Sequence, residues 1–266
     1  MHSDHLNVAA TYTSAADRFD DLPFWSHFGR ATVDRLQLRP GARVLDLCCG
    51  TGASALPAAE AVGSAGSVLG IDITGALLDR ARAKASATGY RHVAFERAAV
   101  ENLEFPAASF DAVISVFGLF FVDDMAGLLT RAWSWLAPGG VVAITTWGEQ
   151  VLAPGEALFW EAVLRENSAL APKSHAGRLD TPDKIIAVFA EAGLPHPDIA
   201  HEQWDMPLAS AEDFWPVILG TSNRAALDAL TTEQQTRVRR VVLDTLRARH
   251  VTSAAMDAWF ATTRKD

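Results

Sequence analysis

Cysteine is scarce in this chain, because only two of its 266 residues are cysteines and these two, Cys48 and Cys49, are adjacent. Neighbouring side chains at the end of an extended strand point to opposite sides, so we expect no disulfide between them. A Cys-x-x-Cys pair of the kind that holds zinc is also missing. The sequence therefore predicts two free thiols, no metal site and a cytoplasmic protein.

Long apolar runs and basic clusters are also lacking. The longest apolar run, residues 112–122, is interrupted by Ser115 and is too short to cross a bilayer. The first five residues do not have the apolar core of a signal peptide. With a formal net charge of −9, the chain offers no basic face for a nucleic-acid backbone. We expect no membrane span and no nucleic-acid partner. The sequence is compatible with a homo-oligomer.

Short apolar runs alternate with helical patterns between residues 43 and 147, which is typical of βαβ units and a parallel sheet. Five strands are predicted, at residues 43–47, 67–71, 92–97, 110–116 and 141–146. Helices are predicted from about Ser54, after Thr74, and over residues 124–136, the last ending before Pro138-Gly139-Gly140.

Beyond Trp147 the alternation weakens. A helix is predicted from the N-cap Thr181 to Gly193, followed by a sixth strand at residues 199–206. Residues 210–249 are predicted to be helical, with a capping box from Thr232 to Gln235 opening the last helix, and residues 255–263 to form a seventh strand. The N-terminal 40 residues are predicted to form one or two aromatic-rich helices.

A glycine-containing turn follows the first strand, in the sequence Val44-Leu-Asp-Leu-Cys-Cys-Gly-Thr-Gly52. Gly50 and Gly52 let the chain turn tightly and let a ligand lie against bare backbone. Asp72, at the end of the second strand, stands where an acid can accept both hydroxyls of a ribose. The helix that opens near Ser54 directs its N–H groups towards the same ligand.

This turn resembles motif I of the class I S-adenosylmethionine-dependent methyltransferases, especially the group that includes the ubiquinone/menaquinone C-methyltransferases. The resemblance covers about residues 43–146, because three further segments match in order: residues 74–82, 100–113 and 136–140. It implies S-adenosylmethionine as the cofactor. It also implies an α/β, Rossmann-like sheet of seven strands, mostly parallel with an antiparallel last strand, and helices on both faces. We expect a helical lid at residues 1–40, the cofactor domain at 41–206 and 254–266, and a helical cap at 207–253.

The resemblance also assigns cofactor contacts to positions of this chain. These are Asp46, Cys48, Gly50, Gly52, Asp72, Ile73, Ala99, Val100, Glu101, Ser115 and Phe117.

Within this set the resemblance implies different roles. Asp46 would orient the glycine turn or meet the ammonium group, and the two glycines would lie against the methionine part. Asp72 would hold the ribose. Ile73 and Val100 would enclose the adenine, and Ser115 and Phe117 would border the sulfonium.

The chain departs from the family pattern at two positions. Cys48 stands where glycine is usual, so the turn should be more crowded there. Ala99 stands where an aspartate often meets the adenine amino group. Either Glu101 takes over that contact, or backbone and packing hold the adenine.

The methyl acceptor is indicated only by composition. Five of the eight tryptophans follow the fifth strand, which favours an apolar or aromatic small molecule. Candidate acceptor residues are Phe19, Phe24, Trp25, His27, Phe120 and Trp147. Phe120 and Phe121 could equally be core residues, and a packing or solvent-exposed role is favoured for each of the histidines at 27, 175, 196 and 201.

No catalytic base can be named, because the cofactor is already activated and a base is optional in such a transfer. The leading hypothesis is a small-molecule methyltransferase. A methyltransferase acting on protein or RNA and a non-catalytic S-adenosylmethionine-binding protein remain as alternatives. A dinucleotide oxidoreductase is disfavoured because position 55 is alanine, where a third glycine would be expected.

Overall fold

The computed structural model describes residues 2–170 and 175–266, with side chains from residue 8 onward. A seven-stranded sheet has the order β3-β2-β1-β4-β5-β7-β6. Its strands are β1 (Arg43–Leu47), β2 (Ser67–Asp72), β3 (Val93–Arg97), β4 (Phe110–Val116), β5 (Leu136–Ala153), β6 (Asp198–Pro207) and β7 (Ser253–Arg264).

Ten α-helices are found among the described residues. They are α1 (His2–Phe19), α2 (Pro23–Leu36), α3 (Ala55–Val62), α4 (Gly75–Ala87), α5 (Met125–Trp135), α6 (Gly155–Glu166), α7 (Pro182–Glu191), α8 (Phe214–Leu219), α9 (Arg224–Asp228) and α10 (Thr232–Ala248).

The strand order positions the site. β1 pairs in parallel with both β2 and β4, and β4 pairs in parallel with β5. The carboxyl ends of these strands therefore meet at one edge, where ligands bind in open α/β sheets. The predicted Rossmann-like sheet, with an antiparallel last strand, is confirmed.

Several local predictions are confirmed. Thr181, the predicted N-cap, caps α7 by accepting a hydrogen bond from the Lys184 N–H. The helix predicted over residues 124–136 is present as α5, and Asp124 caps it by accepting from the Gly127 N–H. The buried stripe of α4 consists of Leu77, Leu78, Ala81 and Ala85. These features follow from side-chain spacing and capping chemistry, which act over a few residues.

Two predicted boundaries are wrong. β5 begins at Leu136, because Phe110 pairs with Leu136 across a register irregularity, so the Pro-Gly-Gly segment lies inside the strand. The capping box of α10 is formed by Thr231 and Gln234, one residue before the predicted pair. Both registers satisfy the sequence pattern, but the Gln235 amide donates to the carbonyls of Leu227 and Leu230 instead.

The chain contains two compact units. One comprises Met1–Phe24, Glu149–Ser174 and Gln203–Asp257, and α6 and α10 pack together within it. The other comprises Trp25–Gly148, His175–Glu202 and Ala258–Asp266 and contains the cofactor motif. The predicted division into lid, cofactor domain and cap stays a prediction. Within the described residues, no helix has the length and apolar character needed to cross a bilayer.

Candidate active site

The β1–α3 turn has the tight left-handed geometry that its glycines permit. Gly50 has a φ of 54° and Gly52 a φ of 83°. The Cys49 N–H donates to the Ile71 carbonyl at 2.9 Å, and the Gly52 N–H donates to the Cys49 carbonyl at 2.8 Å. The turn is thus fastened to β2, and its backbone lies at the carboxyl edge of the sheet.

Asp72 connects this turn to the start of α4. Its Oδ2 accepts from the Gly50 N–H at 2.9 Å, and its Oδ1 accepts from the Thr74 N–H at 2.7 Å. Burial raises the pKa of the Asp72 carboxyl, while the backbone N–H donors of Thr74 and Gly50 act in the opposite direction. Each carboxylate oxygen can accept more than one hydrogen bond, so Asp72 can hold two hydroxyls while still bracing the turn.

Asp46 is fully buried at the carboxyl end of β1. Its Oδ2 accepts from the Ser54 hydroxyl at 2.7 Å, whereas Oδ1 is buried and makes no hydrogen bond within the described residues. Burial raises the pKa of the carboxyl to about 7. A cationic donor next to Oδ1 would stabilise the carboxylate form.

Two buried hydroxyl groups on other strands of the sheet also make no hydrogen bond to the described residues. They are Ser115 Oγ on β4 and Thr146 Oγ1 on β5. Asp46 lies opposite Ile114, so Ser115 is one residue further along β4, and Thr146 follows Thr145, which lies opposite Val116. Because successive side chains of a strand point to opposite faces, this register places the two hydroxyls on the other face of the sheet from Asp46. Buried polar atoms without partners are uncommon in proteins. Each of the three atoms could therefore accept a polar partner supplied by a ligand at this edge of the sheet.

Cys48 shows how the departure from glycine is accommodated. Its φ is 59°, a left-handed value that suits glycine better than cysteine. A Cβ on Gly118 would lie only 2.4 Å from the Cys48 Cβ, so Gly118 leaves the space that the cysteine occupies. Burial raises the pKa of the Cys48 thiol, and the carboxylates of Asp72 and Glu101 add to the shift. The thiol is therefore protonated at neutral pH and is a packing group rather than a nucleophile.

The predicted adenine contacts come together after β2 and β3. Val100 is buried in a 3-10 turn, Val100–Asn102, while Ala99 and Glu101 are half-buried. Arg97, which the sequence reasoning missed, donates to the Ile73 carbonyl at 2.9 Å and fixes that backbone. The replacement of the usual aspartate by Glu101 stays a prediction.

An aromatic cluster, which we define as Trp25, Phe28, Phe117 and Trp147, joins α2, the residue after β4 and the middle of β5. Phe117 stacks on Trp147 with ring centroids 3.5 Å apart and planes 9° from parallel. Trp25 and Phe28 meet Phe117 edge-on at 5.8 and 5.6 Å. Phe117 has a φ of 54°, an unusual backbone conformation for a bulky residue that such contacts must maintain. The sequence selected three of these rings but missed Phe28 and could not predict the stack.

Other predicted acceptor residues lie elsewhere. Phe19 and Phe24 are buried, and their role stays a prediction. His27 Nε2 lies 2.6 Å from Glu202 Oε1 on β6, and Arg35 donates to the other oxygen of Glu202 at 2.7 Å. Phe120 is buried, whereas Phe121 is half-buried against His175.

Gly29 on α2 is a further residue that the sequence reasoning missed. A Cβ at this position would lie 2.4 Å from the Ala53 carbonyl oxygen. Helix α2 therefore packs directly against the backbone of the β1–α3 turn. The only available signal was a small residue within an aromatic-rich helix.

Comparison with known proteins agrees with this geometry. A methyltransferase domain model matches residues 44–140, which include the turn, Asp72 and β4. Residues 44–140 of this chain are thus similar to a methyltransferase domain, as the sequence resemblance predicted. The match is consistent with S-adenosylmethionine as the cofactor that the resemblance implies.

Two curated relatives extend the similarity. The aklanonic acid methyltransferase DauC of Streptomyces sp. is 38% identical over 141 residues, covering 52% of this chain and 64% of the relative. The ubiquinone/menaquinone biosynthesis C-methyltransferase UbiE of Coxiella burnetii is 34% identical over 160 residues, covering 58% and 61%. The matches thus span less than two thirds of either relative.

Among solved structures, the YcgJ protein of Bacillus subtilis has a TM-score of 0.57 at 19% identity, with 90% of this chain and 98% of that chain covered. This similarity shows the fold alone.

The residues present fit S-adenosylmethionine. The unpartnered Oδ1 of Asp46 suits the ammonium group, and the two unpartnered hydroxyls suit other polar atoms of the amino-acid part. The bare backbone at Gly50 and Gly52 leaves room for the methionine chain, and Asp72 retains acceptor capacity for the ribose.

Proposed function

We propose that this protein transfers the methyl group of S-adenosylmethionine to a small apolar or aromatic acceptor. One observation carries the proposal: the Phe117–Trp147 stack begins two residues after Ser115, whose hydroxyl is one of the unpartnered polar atoms. Phe117 and Trp147 are 5% and 8% exposed, and Phe28 is fully buried, whereas Trp25 is half-buried. The aromatic cluster thus follows the proposed cofactor site in the chain, and Trp25 is the ring that an acceptor can most readily reach. Flat, apolar molecules bind well against such aromatic faces.

The cofactor supplies an activated methyl group, and the protein aligns the acceptor with it. Alignment of reacting atoms at roughly 3–3.5 Å, with water excluded, can supply much of the barrier reduction. The polar atoms of β1, β4 and β5 fix the donor, while the aromatic cluster provides a dry surface for the acceptor. No side chain is assigned as a base, and the acceptor atom is left open.

The names of the relatives support this substrate class. One is a methyltransferase of aklanonic acid, and the other a C-methyltransferase of ubiquinone and menaquinone biosynthesis. We infer a quinone-like or other specialised aromatic metabolite as the acceptor. A fold by itself does not determine a reaction, so the test must follow the methyl group.

The test is incubation of the purified chain with methyl-labelled S-adenosylmethionine and a panel of quinones, phenols and charged non-aromatic metabolites. We expect label in one or more aromatic products, identified by mass spectrometry. Turnover of charged non-aromatic acceptors only, or of protein or RNA only, would contradict the proposed acceptor class. Cofactor binding without any transfer would favour a non-catalytic binding protein.

The cofactor site is tested separately by Asp72→Ala. A hydrogen bond to a charged group contributes roughly 1.5–3 kcal/mol, so we expect the affinity for S-adenosylmethionine to fall about ten- to several-hundred-fold. Isothermal titration calorimetry measures this change. Asp79→Ala is the matched control, since Asp79 is exposed on α4 and pairs with Arg82. Equal affinities in wild type and Asp72→Ala would disprove the site assignment.

A further inference from the structure

Arg178 forms three hydrogen bonds to the backbone of the segment after β4. Its Nη1 donates to the Phe120 carbonyl at 2.9 Å and to the Val122 carbonyl at 2.7 Å. Its Nη2 donates to the Asp123 carbonyl at 3.0 Å. The guanidinium group is a rigid planar donor, so one side chain fixes the relative positions of three peptide groups.

These carbonyls belong to a tight turn that makes only part of its own hydrogen bonds. The Phe121 N–H donates to the Gly118 carbonyl, and the Val122 N–H donates to the Leu119 carbonyl. The turn then gives way to extended backbone at Val122, before α5 begins. Arg178 supplies donors to carbonyls that these helix-like bonds do not use.

Arg178 itself lies on a firmly anchored segment. The Lys184 ammonium group of α7 donates to the Gly177 carbonyl at 2.8 Å and contacts Asp180 at 2.6 Å. The Trp259 indole N–H of β7 donates to the Asp180 carbonyl at 3.0 Å. The turn after β4 is thereby connected to α7 and β7, more than fifty residues away in sequence.

The position of this turn matters because it follows Phe117 and Gly118 directly. Phe117 is held at a φ of 54° with its ring on Trp147, and Gly118 makes room for Cys48. A strained residue keeps its conformation only when its surroundings over-determine it. A fixed backbone on the C-terminal side of Phe117 is one such restraint.

We propose that Arg178 is a positioning residue for the acceptor side of the site, acting through the turn at residues 118–123 on the Phe117–Trp147 stack. The expected change in acceptor KM rests on the proposed function, whereas the restraint of residues 118–123 by Arg178 does not. No contact described above joins Arg178 to the β1–α3 turn or to Asp72. Substitution of Arg178 should therefore change the KM for the acceptor more than the affinity for the cofactor.

The experiment compares Arg178→Ala and Arg178→Lys with wild type, all loaded with S-adenosylhomocysteine. Hydrogen exchange followed by mass spectrometry should show faster exchange in peptides covering residues 118–123 of Arg178→Ala, and unchanged exchange over residues 48–56. With an aromatic acceptor, the acceptor KM should rise about tenfold or more, as expected for loss of charge-assisted hydrogen bonds, while S-adenosylhomocysteine affinity changes less than about twofold.

Rescue measurements separate positioning from general damage. Arg178→Lys should recover part of the wild-type KM, and low concentrations of free guanidinium should partly restore Arg178→Ala. Arg264→Ala is the control. Like Arg178, Arg264 donates to a main-chain carbonyl, that of Leu36, but it is the last residue of β7 and does not contact residues 118–123 in any hydrogen bond described here. We expect it to change neither exchange at 118–123 nor acceptor KM.

Unchanged exchange at residues 118–123 in Arg178→Ala would overturn the inference, as would equal losses of acceptor and cofactor affinity. If the wild-type chain methylates no acceptor, the proposed function fails, while the exchange result still decides whether Arg178 holds the turn.

Discussion

At the scale of single residues, the buried carboxyl of Asp46 is less stable in its ionised form than it would be in water. Among the described residues its Oδ1 has no hydrogen-bond partner, and burial raises the pKa of the carboxyl from 3.8 to about 7. Because the folded pKa exceeds the unfolded one, the unliganded protein loses stability as the pH rises from about 4 to about 7. A bound ammonium group would reverse this shift by favouring the carboxylate.

We therefore predict that cofactor binding releases a proton near neutral pH. Below about pH 7 the free carboxyl is protonated, so the affinity for S-adenosylhomocysteine should fall by up to about tenfold for each lower pH unit. Calorimetry in buffers of different ionisation enthalpy measures the proton release. Asp46→Asn should abolish the release, weaken binding, and raise the melting temperature of the unliganded protein at about pH 8. A proton release that persists in Asp46→Asn would assign it to another group.

The contact between Cys48 and Gly118 gives a second prediction at the residue scale. Gly118→Ala should destabilise the protein, because the new Cβ would lie 2.4 Å from the Cys48 Cβ. Cys48→Gly removes that atom and also relieves the left-handed cysteine. In a double-mutant cycle of unfolding free energies, we expect Cys48→Gly to offset Gly118→Ala, with a coupling of roughly 0.5–3 kcal/mol. Strictly additive effects would show that the two positions do not compete for space.

At the scale of elements, helix α2 connects the β1–α3 turn with the aromatic cluster. Gly29 lies against the Ala53 carbonyl, while Trp25 and Phe28 of the same helix meet Phe117. The Thr32 hydroxyl lies 2.6 Å from the Thr145 hydroxyl of β5. One helix thus packs against the β1–α3 turn and supplies two rings to the aromatic cluster.

Gly29→Ala tests this packing. The added methyl group would meet backbone rather than a flexible side chain, so α2 must move away from the turn. We expect a loss of about 1–3 kcal/mol of stability, typical of overpacking, together with weaker cofactor binding. Chemical denaturation and calorimetry measure the two effects. Gly75→Ala in α4 is the control, because its nearest neighbour would be 3.8 Å away. A stable Gly29→Ala protein with wild-type affinity would contradict the close approach.

At the scale of the whole molecule, the sheet order brings chemistry from distant parts of the chain to one edge. β1 supplies Asp46, β2 supplies Asp72, β4 supplies Ser115 and β5 supplies Thr146. Their parallel pairing places all four carboxyl ends together. The formal net charge of −9 favours small or uncharged acceptors over polyanions. The cytoplasmic location and any homo-oligomer stay predictions.

The sequence by itself determined the parallel strands and the glycine turn that lie around Asp72. Strand spacing, the glycine turn and Asp72 lie within about thirty residues, and the βαβ geometry that joins them is nearly invariant. The same local rules predicted the cap of α7, Thr181. They were ambiguous only where two registers satisfied one pattern, as at Thr231 and Thr232.

Only the tertiary structure decided which residues form the aromatic cluster and which residues support it. Trp25, Phe117 and Trp147 are separated by 30 to 122 residues, and Arg178 lies 55 to 58 residues from the carbonyls that it holds. Their contacts depend on sheet register and helix packing, which no local pattern encodes. The space left by Gly118 for Cys48 and by Gly29 for Ala53 is likewise visible only when the segments meet. A cofactor motif acts through adjacent residues, whereas an acceptor surface is assembled from residues that folding brings together.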